Sequence, residues 1–179
     1  MLQKSSMSKT LEVFFDNPMK EFYLMELSHF LGLAHTSIKK NLVQLTRLGF
    51  ITEKIIKRGK RKFPVYKSNI ENKNFKKYKI ISNLSILSES GLIEYLEEKL
   101  FPKVIVLFGS YRKGEDMIDS DIDLFVECKK EELNLSLFEK KLKRKIQLHF
   151  KEDFNSFPKE LKNNIINGIV LYGFLEGCK

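Results

Sequence analysis

The chain has 179 residues, of which 42% are hydrophobic and 31% charged, so it is long enough for one sizeable core or two small ones. Its two cysteines, Cys128 and Cys178, provide neither a disulfide framework nor a metal-ligand spacing. No apolar run approaches the roughly 20 residues that span a bilayer, and no apolar N-terminal signal segment is present. These features exclude a membrane-spanning protein and predict a cytoplasmic one.

The positive charge is concentrated at the N-terminus. The whole chain has a net charge of +9, but residues 1–69 hold 13 Lys and Arg against 5 Asp and Glu, a net +8. The rest of the chain is close to neutral, with 19 basic and 18 acidic residues. This asymmetry predicts a polyanionic partner for the first third of the chain.

The first predicted elements form a helix-turn-helix. A short helix from Ser8 is stopped by Asn17-Pro18, and Phe22 to Leu24 is extended. A helix over Met25–Leu31 ends at Gly32, and a second runs from His35 or Thr36 to Leu48. Two helices joined through a glycine-containing turn are typical of a helix-turn-helix, in which the second helix reads DNA. The outward face of that helix carries Thr36, Lys40, Gln44 and Arg47.

A basic hairpin follows. Strands are predicted at Phe50–Ile56 and Phe63–Lys67, and six of the nine residues from Lys54 to Lys62 are basic. The arrangement resembles a winged helix, whose wing lies along a phosphate backbone, and predicts a DNA-binding domain over residues 1–69. Two alternatives are a merely solvated hairpin tip and a winged helix that binds protein. The candidate wing residues are Lys57, Arg58, Lys60, Arg61 and Lys62.

Residues 70–100 are predicted to form a helical connector, with helices over Phe75–Ser88 and Gly91–Leu100. It would pack on the second domain or pair two protomers into a homodimer. Residues 101–179 are predicted to form a mixed domain, so the fold class is α+β. Its later predicted elements are a helix over Glu131–Lys145, a strand over Ile146–Phe150, a helix over Phe157–Asn167 and a strand over residues 168–173.

The most informative stretch of the second domain joins a buried strand to a pair of acids. Val104–Phe108 is an apolar run that predicts a buried strand, and Gly109-Ser110 ends it. The next strand, predicted from Asp119 to Val126, places Asp121 and Asp123 on one face, roughly 6.5 to 7 Å apart. Backbone N–H groups and a hydroxyl at a strand-to-helix turn favour phosphate, and paired carboxylates favour Mg²⁺.

Gly109-Ser110, ten further residues and then Asp121-x-Asp123 resemble the signature of the polymerase-β-type nucleotidyltransferase superfamily, and its minimal branch in particular. The resemblance implies that Ser110 contacts a nucleoside triphosphate and that Asp121 and Asp123 bind catalytic Mg²⁺. It implies transfer of a nucleoside monophosphate, with ATP as the expected donor, to a hydroxyl of a protein or nucleic acid. Some members modify a tyrosine of a HEPN-type toxin, so such a partner is implied here. The candidate nucleotide-binding residues are Gly109, Ser110, Arg112 and Lys113.

The sequence departs from this family at its third carboxylate. The matching position on the strand Ile146–Phe150 holds Gln147, which can neither bind a metal as an anion nor accept a proton at neutral pH. Three readings follow: His149, Glu152 or Asp153 replaces the acid, transfer is slow, or the domain only binds nucleotide. The last would make the protein a nucleotide-sensing transcription regulator.

Overall fold

A computed structural model describes residues 4–176, with the backbone alone described at Arg58 and Asn155; Cys178 lies outside this range. The chain divides into two compact units, Met1–Lys79 and Ile80–Lys179. The boundary falls inside one helix, α4, which is numbered below with its neighbours. Both units mix helices with a small sheet, so the predicted α+β class is confirmed.

The first unit contains three helices and a three-stranded antiparallel sheet in the order β1-β3-β2. The Ser5 hydroxyl accepts a hydrogen bond from the N–H of Ser8 and caps α1, and Gly32 ends α2 in the left-handed conformation. The elements are α1 (Ser6–Asp16), β1 (Phe22–Tyr23), α2 (Leu24–Leu31), α3 (His35–Arg47), β2 (Ile51–Arg58) and β3 (Arg61–Ser68).

The core of this unit lies where the three helices meet the sheet. Phe14, Leu27, Ile38, Leu42 and Leu45 are each fully buried. Because apolar residues recur on one face of α3, its opposite face remains in solvent.

The second unit contains a four-stranded sheet in the order β6-β5-β4-β7, in which β5 and β6 are parallel and the other pairs antiparallel. Its helices begin with the second half of α4 (Lys73–Ser90). The remaining elements are α5 (Leu92–Leu100), β4 (Val104–Phe108), α6 (Gly109–Lys113), β5 (Ile122–Glu127), α7 (Ser136–Leu142), β6 (Ile146–Lys151), a 3₁₀ turn (Phe154–Ser156), α8 (Lys159–Ile166) and β7 (Ile169–Gly173).

This sheet is covered on both faces. Ile105, Leu107 and Leu124 point to one face, where they belong to a core that includes Leu92 and Leu96 of α5. On the opposite face, a smaller core contains Val106, Phe108, Phe125, Phe154 and Ile165. The side chain of Asp123 lies on this second face, because it alternates with Ile122 and Leu124 along β5.

Several boundaries differ from the sequence-based expectations, and three of the differences have a local cause. β5 begins at Ile122, not at Asp119, because Ser120 closes a turn in which its N–H donates to the carbonyl of Met117. The helix expected over 131–145 is limited to α7, because the carboxamide oxygen of Asn134 caps the N–H of Ser136. The helix expected from Phe157 begins at Lys159, after Pro158.

Within residues 4–176, no helix combines the length and the apolar character needed to cross a lipid bilayer.

Candidate nucleotide and metal site

The turn after β4 comes into close contact with the carboxylate of Asp123. Phe108 pairs with Asp123 across the antiparallel β4–β5 ladder, so the next residue, Gly109, lies beside that carboxylate. A Cβ added at Gly109 would collide with Asp123 Oδ2, and Gly109 has a φ of +75°. Glycine is therefore required here both for its conformation and for its lack of a side chain. The predicted phosphate-binding turn and one predicted metal ligand are therefore adjacent.

Asp121 occupies a different setting from Asp123. It lies one residue before β5, at the end of the loop from α6, and its side chain is exposed. The side chain of Asp123 is 22% exposed and is fixed by the strand. The strand holds one carboxylate of the pair, and the loop determines the position of the other.

The phosphate-binding candidates lie on α6 and immediately before its first turn. Ser110 and Arg112 are half-buried, and Lys113 is exposed. Because α6 has five residues, its dipole is small, and phosphate recognition would depend on the N–H groups of the first turn and on these side chains. The Nε of Arg112 is buried without a hydrogen-bond partner among the described residues. Movement of this side chain toward an anion would relieve that cost.

His149 is the β6 residue that contacts Asp123. Its Nε2 lies 3.3 Å from Asp123 Oδ1, and its ring packs edge-on against Phe108 with centroids 5.0 Å apart. Gln147 is directly in register with Asp123 but is exposed. His149 is two residues further along β6 and reaches Asp123 diagonally across the parallel pair.

Glu152 and Asp153 lie far from this position. Lys151, the last residue of β6, pairs with Glu127, four residues beyond Asp123. Glu152 follows it, roughly 16 Å along the strand direction from Asp123. Of the three replacements considered from sequence for the missing carboxylate, His149 is the one with a contact to Asp123.

The side chains at the site suit a Mg²⁺ ion that shares its ligands with a substrate. Among the described residues, no group of three or more His, Cys, Asp or Glu side chains is arranged to hold a metal ion. Mg²⁺ is usually held by one or two carboxylates together with substrate phosphates and water. Asp123, with Asp121 at the adjacent loop end, therefore fits an ion that arrives with a nucleotide better than a permanently bound one.

A second polar cluster near the site was not foreseen from sequence. Asp116 is fully buried, and its Oδ2 lies 2.8 Å from Nη2 of Arg144. Its Oδ1 accepts a hydrogen bond of 2.9 Å from Asn83 Nδ2. Asn83 is 33 residues from Asp116 and Arg144 is 28, so no local sequence pattern indicated the cluster.

The candidate DNA-binding residues of the first unit form two sets. Four lie on the outward face of α3, and the wing candidates lie at the adjoining ends of β2 and β3 and, for Lys60, in the turn between them. Lys57 pairs with Lys62 and Arg58 with Arg61 across the hairpin. The exposed helix residues are Thr36, Lys40, Gln44 and Arg47.

Comparison with known proteins finds a similarity within the second unit. A family model described as "Polymerase beta, Nucleotidyltransferase" matches residues 90–174. This span includes the turn at Gly109, both carboxylates and β6, so this part of the chain is similar to nucleotidyltransferase domains of that type. No curated protein matches the chain.

Among solved structures, a possible transcriptional regulator from Methanosarcina mazei Go1 aligns with a TM-score of 0.38 and 17% sequence identity. The alignment covers 54% of this chain and 79% of that protein. A similarity of this size does not bear on the function of this chain.

Proposed function

We propose that the unit Ile80–Lys179 is a Mg²⁺-dependent nucleotidyltransferase that transfers a nucleoside monophosphate, AMP from ATP, to a hydroxyl of a protein or nucleic acid. The observation that supports this most is the contact between Gly109 and the Asp123 carboxylate, because it brings the turn and a metal ligand together. The family match over residues 90–174 supports the same class of reaction.

Each residue has a role in this proposal. The first-turn N–H groups of α6 and the hydroxyl of Ser110 bind the triphosphate, with Arg112 and Lys113 adding positive charge. Asp121 and Asp123 hold the ion. An ion held there would supply positive charge that neutralises the phosphates. The chain itself contributes by fixing these groups in advance of the reaction.

The proposed reaction exchanges one bond of the α-phosphorus for another. A bond forms between the acceptor oxygen and the α-phosphorus while the bond from that phosphorus to pyrophosphate breaks. The hydroxyl proton is released to water. A tyrosine of a HEPN-type partner protein is the first acceptor to test.

The test of this proposal is label transfer from α-labelled ATP to protein or RNA in a cell lysate. The double variant Asp121→Asn with Asp123→Asn should lose transfer and lose Mg²⁺-dependent ATP binding, because amides do not replace anionic ligands. Asp119→Asn is the matched control, since Asp119 is an exposed acid in the same loop. Equal transfer by the double variant and the wild type would refute the proposal.

A second candidate is a nucleotide sensor with little or no transfer activity. Two observations favour it: β6 carries no carboxylate, and His149 occupies one oxygen of Asp123. The variant Gln147→Asp separates the two candidates, because residue 147 is in register with Asp123. A sensor would bind ATP as wild type without label transfer, and Gln147→Asp would then create transfer. If the protein is an active enzyme, the wild type should already show label transfer from ATP.

For the first unit, we propose a winged helix that binds DNA, with α3 as the recognition helix and the β2–β3 hairpin as the wing. The directly paired cations support this, because like charges opposite each other destabilise a hairpin unless an anion lies over them. The pair is Lys57 and Lys62. A phosphate backbone is such an anion.

The salt dependence of DNA affinity tests this proposal. Lys60→Ala with Arg61→Ala should weaken binding to all sequences and reduce the log–log salt slope by about 2, since each phosphate contact contributes roughly 0.9. Lys129→Ala with Lys130→Ala, an exposed adjacent pair in the second unit, is the matched control. An unchanged slope would mean that the hairpin contacts something other than DNA, such as a protein.

A further inference from the structure

The loop from α6 to β5 is held by a buried guanidinium. This loop, residues 114–121, ends at Asp121 and therefore determines where that carboxylate lies. It contains no helix or strand, and exposed Met117 and Ile118 contribute little packing to it. Its conformation must therefore be fixed by polar contacts with other parts of the unit.

Arg144 makes four such contacts. It lies between α7 and β6, and its side chain is 9% exposed. Its Nη1 donates to three loop carbonyls, those of Met117, Ile118 (3.3 Å) and Ser120 (3.2 Å). Its Nη2 donates to Asp116 Oδ2 at 2.8 Å. One planar fork thus binds both a carboxylate and a row of backbone oxygens, which a lysine ammonium cannot do at the same time.

Asp116 connects this fork to the phosphate turn. Its second oxygen, Oδ1, accepts from Asn83 Nδ2, which also donates to the carbonyl of Tyr111 at 2.9 Å. Tyr111 belongs to α6, directly after Ser110, and its ring lies 5.6 Å from the Arg144 guanidinium. A chain of buried contacts therefore runs from α6 through Asn83, Asp116 and Arg144 to the carbonyl of Ser120, next to Asp121.

We propose that Arg144 is a positioning residue for the metal–nucleotide site: it fixes loop 114–121 so that Asp121 is held at a constant distance from the Gly109-Ser110 turn. This inference rests on the proposed function of the second unit. Arg144 itself would contact neither nucleotide nor metal. Its effect on the site would pass through the backbone of the loop and therefore through Asp121.

The experiment uses the full chain and two readouts. The first is hydrogen–deuterium exchange of the loop amides without ligand, which does not depend on any nucleotide. The second is ATP affinity measured in EDTA and again in Mg²⁺. In EDTA, ATP affinity depends on the contacts of the phosphate turn alone. The increase in ATP affinity on adding Mg²⁺ depends on the metal-binding carboxylates.

For Arg144→Lys, loop exchange should rise about tenfold or more, because several charge-assisted hydrogen bonds are lost. ATP affinity in EDTA should stay the same, and the gain from Mg²⁺ should fall about tenfold. A general loss of structure would lower both affinities together. Lys140→Ala, which removes an exposed cation from α7, is the control and should change neither readout.

A second variant protects the test against a folding defect. Arg144→Met with Asp116→Leu replaces the buried ion pair by apolar groups, which often leaves stability unchanged. It should fold, show the same rise in loop exchange and lose the same gain from Mg²⁺.

The outcomes separate the two proposals. Wild-type binding of Mg²⁺–ATP that persists equally in Arg144→Lys, or loop exchange that does not rise, would refute the role of Arg144 alone. A wild-type protein that binds neither ATP nor Mg²⁺ would refute the proposed function, and the role of Arg144 at that site with it.

Discussion

Two acidic side chains seven residues apart, Asp116 and Asp123, have opposite environments. Asp116 is fully buried and has firm partners on both oxygens, Arg144 at 2.8 Å and Asn83 at 2.9 Å. Asp123 is 22% exposed, and its contact with His149 is longer, at 3.3 Å. The first carboxylate is already satisfied within the protein, whereas the second can still accept a ligand. Burial and pairing therefore distinguish Asp116, a structural carboxylate, from Asp123, which remains open to the ligand proposed for it.

The largest expected effect that tests this contrast is on stability. Asp116→Ala leaves the Arg144 charge buried without its partner, so the free energy of unfolding should fall by about 3 to 5 kcal/mol. Asp121→Ala removes an exposed carboxylate and should change it by no more than about 0.5 kcal/mol. Urea denaturation of both variants measures the difference. Similar values for the two would contradict the assignment of Asp116 as structural.

An intermediate effect is expected at Gly109, which lies beside the Asp123 carboxylate. Gly109→Ala should lower the free energy of unfolding by about 1 to 2 kcal/mol, because residue 109 has a positive φ. The decrease should be larger still because the new Cβ displaces the Asp123 carboxylate. Gly91→Ala is the matched control, with a φ of +79° and no atom within 4 Å of the added Cβ. Thermal unfolding and Mg²⁺ titration of both should show loss of the Mg²⁺ response in Gly109→Ala alone. An equal response in the two would mean that the carboxylate moves aside freely.

The smallest effect concerns Glu139, an acid with partners at the surface. The N–H of Ile146 donates to its Oε1 at 3.1 Å, and this bond, followed by Lys145, lowers the pKa of Glu139. A lowered pKa in the folded state stabilises the protein above the unfolded value of about 4.3, and that contribution is lost as pH falls through the folded pKa. The stability difference between wild type and Glu139→Gln should therefore shrink toward acid pH in urea titrations. A stability difference that stays constant with pH would contradict the lowered pKa of Glu139.

The sequence was most informative where one strand or helix determines the answer. The apolar run at β4, the glycine after it and the alternation around Asp123 are local patterns, and the structure agrees with each. The helices of the first unit were predictable for the same reason, because the periodicity of apolar residues in α3 gives its buried face.

The sequence was least informative where distant segments meet. The partnership of Asn83, Asp116 and Arg144 joins α4, the loop before β5 and the connection between α7 and β6, and no spacing rule connects them. The contact of His149 with Asp123 likewise depends on which strand lies beside β5 and in which register. The early start expected for β5 failed because a hydrogen-bonded turn at Ser120 competes with the extended conformation.

The paired cations of the β2–β3 hairpin imply opposite responses to ionic strength. Lys57 is directly opposite Lys62 across the hairpin, so added salt screens the repulsion between these two cations and should make the free hairpin more rigid. The same salt competes for any phosphate backbone bound there and weakens the complex. If the hairpin binds DNA as proposed, raising the salt concentration should order the free hairpin and weaken the complex, so the hairpin would be most mobile at the low salt concentration that favours binding.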